Sequence, residues 1–204
     1  MKKMYKAMAL LLCAVLLVAG SVMGTMAFLQ SQTKTISNVM TVGNVKITLT
    51  EKKMEEDGLT ASNETIDAAE ADQENNYKLI PGRTYTKNPT VTVKADSEAC
   101  YVYVKVINGI AGLEAKDEPT IADQMTANGW NKLENVADVY FMVVNKVSED
   151  KACPVFSTFT VADNANALPQ WKEELKITIT AYAVQKDGFD TAVKAWNATF
   201  GANN

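Results

Sequence analysis

Residues 100–107 (CYVYVKVI) and 175–185 (LKITITAYAVQ) carry the strongest strand signals in the chain. In the first, Val102, Val104 and Val106 alternate with Tyr101, Tyr103 and Lys105. β-branched and aromatic residues in strict alternation fit a pleated surface. In the second, Leu175, Ile177, Ile179, Ala181 and Ala183 share one face. Outward from these two, further period-two runs occupy Val45–Thr50, Pro89–Ala95, Val139–Val147 and Val155–Val161. The last two flank a turn at Ser148–Lys151 and read as a hairpin. Trp130–Leu133 could add a short strand, and strand signals resume at Tyr77 before the Pro81-Gly82 turn. Gly43 suggests a turn or bulge ahead of the first strand.

Helical signals are few. Ile121–Ala127 suits a short helix inside a long connection, and Asp163–Trp171 reads as a loop or helical turn. At the C-terminus, Phe189, Val193, Trp196 and Phe200 recur at helical spacing, with Asp190 as the expected N-cap and Gly201 as the stop. Seven or eight short strands without strand–helix alternation predict an all-β fold. The expected form is an antiparallel two-sheet sandwich of jelly-roll or Greek-key type, with a short C-terminal helix.

The first 27 residues read as a signal peptide. Lys2, Lys3 and Lys6 precede an uncharged apolar run from Ala7 to Gly20, and Thr25-Met26-Ala27 offers a small-x-small site. Cleavage is expected between Ala27 and Phe28. The rival reading is a retained anchor, since no charge falls between Lys6 and Lys34. Cys13 lies inside the apolar run behind Leu12, which does not suit lipid attachment. Residues 28–38 form a polar, Thr- and Ser-rich segment, expected to be extended and flexible. Residues 39–204 form the sandwich domain, with an acidic insertion at 51–76 read as a loop or marginal surface helix.

Loss of the three leader lysines takes the 20 basic residues to 17 against 24 acids, a net charge of −7. That balance gives no electrostatic footprint for nucleic acid or an anionic membrane. Cys100 and Cys153 both survive cleavage. An exported chain allows them one disulfide, and the alternative is two half-buried thiols that never meet.

The sequence has no histidine. HExxH zinc sites and Ser/His/Asp or Cys/His constellations therefore lack their essential imidazole. Two Ser-x-x-Lys matches, Ser31 to Lys34 and Ser148 to Lys151, sit in polar surroundings where the lysine stays protonated. The pairs Glu55-Glu56 and Glu173-Glu174 read as solvated faces. The acidic insertion could hold calcium weakly, but it lacks the alternating Asp/Asn pattern around a central Gly. Tyr101 and Tyr103 read as exposed residues able to meet a sugar or partner, but cross-strand packing is the simpler account and the one favoured. No catalytic residue, metal ligand or cofactor is expected, and the chain is not read as an enzyme.

Around the cleavage site, Gly24-Thr25-Met26-Ala27-Phe28 is followed by Asn38, Gly43 and the Val45/Ile47/Leu49 strand, with Leu79-Ile80-Pro81-Gly82 further on. This arrangement resembles the TasA/camelysin family, exported proteins of Gram-positive bacteria processed by the signal peptidase SipW. Met26 and Met40 stand where the family pattern has an aromatic residue and Phe. The resemblance covers about residues 20–50 and 79–107. It implies a jelly-roll domain that assembles into biofilm-matrix or cell-surface fibres, with the mature N-terminus inserted as a strand into the next subunit. Phe28, Leu29, Thr33, Thr35 and Ile36 are then the candidate donor residues; the alternative is an ordinary disordered leader. Some relatives carry a metalloprotease label, for which this chain has no histidine.

The expectation is therefore a secreted structural protein of the extracellular matrix or cell surface. It would self-associate into fibres or co-assemble with related matrix proteins, after meeting its signal peptidase during export, with no nucleic-acid or membrane partner once cleaved. The alternatives are a monomeric surface binding or adhesin module and, behind it, a camelysin-type metalloprotease.

Overall fold

The computed structural model describes residues 44–68, 75–167 and 175–201. The leader, the cleavage site, the candidate donor residues, Gly43 and Glu173-Glu174 lie outside the described residues. Ten strands are present among those described: β1 (Ile47–Met54), β2 (Ala61–Asp67), β3 (Thr84–Thr86), β4 (Thr90–Val93), β5 (Cys100–Asn108), β6 (Asn131–Lys132), β7 (Val139–Val144), β8 (Lys151–Pro154), β9 (Thr158–Thr160) and β10 (Ile177–Gln185). They form two antiparallel four-stranded sheets, ordered β2-β1-β4-β8 and β10-β5-β7-β6, and a two-stranded ribbon of β3 with β9. The chain is an all-β sandwich.

The alternation in β5 explains how the layers stack. Cys100, Val102, Val104 and Val106 enter the core shared with Val91 and Val93 of β4 and Cys153 of β8. The register pairs Ala181 with Val104 and Ala183 with Val102, so the small-residue face of β10 lies beside the valine face of β5. The opposite face of β5 carries Tyr101 and Tyr103. The C-terminal helix covers them, so this strand is buried on both sides.

Among the described residues, two α-helices complete the fold: α1 (Ile121–Ala127), whose span agrees with the sequence reading, and α2 (Ala192–Phe200). Thr120 and Asp123 close a reciprocal capping box on α1. On α2, Thr191 and not Asp190 is the N-cap, its hydroxyl accepting from Lys194 N at 3.2 Å. Asp190 instead pairs with the Lys194 ammonium at 2.8 Å, one helical turn along. Gly201 follows at a φ of 81°. Val193, Trp196 and Phe200 lie against Tyr103 and Tyr182 on the outer face of the sheet.

Three further expectations are corrected. Tyr101 and Tyr103 are 4% and 0% exposed, because α2 covers their face of the sheet and leaves no aromatic surface for a sugar. The runs at 139–147 and 155–161 do not form a hairpin: β7 pairs with β5 and β6, whereas β8 pairs with β4 and β9 with β3. The Ser148–Lys151 turn therefore belongs to a crossing between sheets. Finally, the first two-thirds of the acidic insertion is a β-hairpin. Strands β1 and β2 pair from Thr50↔Asp67 to Met54↔Ala61, with an irregularity between Lys52 and Met54. Met54 and Ile66 are its buried anchors; Glu55, Glu56 and Glu64 are exposed, whereas Glu51, opposite Ile66, faces inward. Asp57 fixes the turn by accepting from Leu59 N at 2.8 Å and Thr60 N at 3.1 Å, which holds its carboxyl below the ordinary value.

Candidate functional site

A groove of about 650 Å³ runs along the side of the sandwich between β1 and β10. One wall is Leu49, Thr50 and Glu51 of β1; the other is the 175–179 stretch that leads into and opens β10. The apolar part of its lining follows from the alternation read in the sequence, because Leu175, Ile177 and Ile179 point toward the core side and are only partly buried there. Tyr77 and Phe159 line the groove and meet edge-on at 5.3 Å; behind them the buried Tyr85, opposed to Phe159 across β3 and β9, stacks on it at 5.1 Å.

A charged pair also lines the groove. The Lys87 ammonium lies 2.6 Å from the Glu51 carboxylate, and their side chains are only 7% and 18% exposed. Asn75 donates to the same Glu51 carboxylate and to Lys52 O at 2.9 Å, and its Oδ1 accepts from Met54 N at 2.7 Å. The Lys87 ammonium also lies 5.7 Å from the centre of the Tyr77 ring. Burial, reinforced by the Glu51 charge, raises the Tyr77 phenol well above its ordinary value, so it stays neutral and donates toward Thr86 O at 3.4 Å. Sequence reading did not single out Lys87, Glu51 or Asn75. The only signal was one lysine in the neutral stretch from Thr84 to Thr92.

The groove has backbone as well as side chains to offer. Strand β10 runs nine residues, and among the described residues it pairs on one side only, with β5. An unpaired strand edge presents alternating N–H and C=O groups to any added strand. Apolar side chains beside such an edge accept alternate residues of the newcomer. What the arrangement can do chemically is bind an extended chain. Among the described residues no group of three or more His, Cys, Asp or Glu could hold a metal.

No family model, curated protein or solved structure matches the chain.

The remaining residues singled out from sequence are dispersed. Ser148 and Lys151 are exposed on the crossing between sheets, and Glu55 and Glu56 are exposed beside the hairpin turn. Cys100 and Cys153 are both buried free thiols in the structure. Burial pushes the Cys100 thiol up to about 11, with a further upward push from Cys153, and raises Cys153 as well.

Proposed function

We propose that this chain is a secreted structural protein, a subunit or accessory of an extracellular matrix or surface fibre, assembled by strand donation. The donor is the segment Phe28–Asn38 of a second copy, and the acceptor is the groove beside β10. The observation that carries the reading is the combination of a groove lined by apolar and polar side chains with a long strand edge on one of its walls. Length supports the pairing. The donor has eleven residues and β10 has nine, so at ~3.3 Å per residue the two are commensurate. Sequence chemistry supports it too: Phe28, Leu29 and Ile36 supply apolar anchors, and Thr33 and Thr35 suit an extended backbone. The resemblance of residues 20–50 and 79–107 to the TasA/camelysin pattern points the same way, and export through the leader places assembly outside the cell.

The test compares the chain beginning at Phe28 with one beginning at residue 39, by electron microscopy and size-exclusion chromatography. The longer chain is expected to form filaments, and the shorter one a stable folded monomer. Filaments from the shorter chain would overturn strand donation. A longer chain that stays monomeric, alone and with related matrix proteins, would overturn the fibre role.

A further inference from the structure

We propose that Cys100 and Cys153 join in a disulfide that staples the two sheets together at the end of the sandwich where the chain crosses between them. The crossings set up the juxtaposition. Residues 94–99 carry the chain from β4 in one sheet to β5 in the other, and residues 145–150 carry it back from β7 to β8. The two crossings are tied side by side. Ala95 N donates to Asp150 Oδ1 at 2.8 Å, and Val147 N to Ser97 O at 3.1 Å. Lys94 pairs with Asp150, and Lys146 with Glu98 at 2.8 Å.

Each cysteine stands just inside this end. Cys100 is the first residue of β5, opposite Val144, the last residue of β7. On the facing sheet, Lys151 opens β8 opposite Val93, and Cys153 follows two residues later opposite Val91. A two-residue step returns a side chain to the same face, and both cysteines point into the same core, 0% and 2% exposed. Facing sheets stand ~10 Å apart, whereas a bridge holds its Cα atoms at roughly 4.4–6.8 Å, so its closure draws β5 and β8 toward each other at this end. Immunoglobulin domains span their two sheets in this way, so the connection is geometrically ordinary for a sandwich.

The chemistry is a two-electron oxidation. One S–S bond forms and two S–H bonds break. The two electrons and two protons pass to a low-molecular-weight organic disulfide such as oxidised glutathione, which leaves as two thiols. The route is thiolate attack through a mixed disulfide. Thiols this buried and this weakly acidic hold little thiolate at neutral pH, so the bond closes during folding and not on the finished domain. Once closed, it spans a loop of about 50 residues, long enough to constrain the unfolded chain strongly.

The experiment refolds the full chain from denaturant with a mixture of reduced and oxidised glutathione, then alkylates, digests with trypsin and analyses the peptides unreduced by mass spectrometry. The expected species is Ala95–Lys105 linked to Ala152–Lys172. The oxidised protein should also melt roughly 10 °C above the reduced one, an increment absent from Cys153→Ala. Two separately alkylated peptides, a linkage of either peptide to the one bearing Cys13, or a linked pair with no shift in melting would each overturn the proposal. The peptide result comes from the unaltered chain, so it stands even if the variant folds poorly.

Discussion

Lys87 holds its charge in a nearly closed aromatic setting and has one carboxylate to face, that of Glu51, which is itself engaged by Asn75. Breaking such a pair from one side leaves the other ion buried without a counter-charge, at a cost of roughly 3–5 kcal/mol. Lys87→Met should therefore lower stability by about 3 kcal/mol in a urea titration. Adding Glu51→Gln should recover a large part of that loss, since both charges are then gone. Glu114 gives a second residue-scale expectation. Its carboxylate is buried, accepting from Ile121 N at 2.8 Å and from Asn108 Nδ2 at 3.0 Å. Burial outweighs those bonds and raises its pKa above the ordinary 4.5. Its contribution to stability is fully present below 4.5 and is lost as pH rises through the raised folded value. Glu114→Gln removes that dependence. The stability of the variant relative to wild type should therefore improve as pH goes from 4 to 7, read from urea midpoints at each pH. Neither residue was legible beforehand, because a buried charge is defined by what folds over it. Here Glu51 and Lys87 are 36 positions apart, and Glu114 meets Ile121 only after a turn.

At the scale of elements, α2 decides what β5 becomes. Its Trp196 ring lies 5.1 Å from Tyr103, 5.3 Å from Tyr182 and 4.8 Å from Phe200, while its indole N–H is buried without a partner among the described residues. Truncation by Trp196→Ala should cost about 3–5 kcal/mol through the cavity it leaves. Trp196→Phe keeps a ring and removes an unsatisfied donor, so its cost should be much smaller; thermal melts of the two variants compare them directly. The alternations of β5 and β10 and the helical stripe of α2 could all be read from local periodicity. The partner of each face could not. Tyr101 and Tyr103 read as exposed because the helix that covers them lies some ninety residues away, and period two says only that there are two faces. The β1–β2 hairpin was obscured for a related reason. Glu55, Glu56 and Asp57 crowd its turn, and the run of acids through the segment hid the two inward anchors, Met54 and Ile66, as a strand pattern. The supposed 139–161 hairpin failed because adjacency in sequence carries no information about which sheet a strand joins.

At the scale of the whole molecule, the sandwich is well closed where the two crossings run and open where β1 faces β10. The proposed function places the incoming strand at the open side, and the proposed disulfide holds the far end rigid. Fold class was legible in the sequence, whereas the groove was not, because it forms only when Leu49 and Ile177, far apart in the chain, end up on facing walls. The most direct test of strand donation is amide hydrogen exchange on the chain beginning at residue 39, with and without a synthetic peptide of residues 28–38. The account predicts that the peptide slows exchange across Ile177–Gln185. Unchanged exchange there under saturating peptide, or protection confined to another strand, would contradict it.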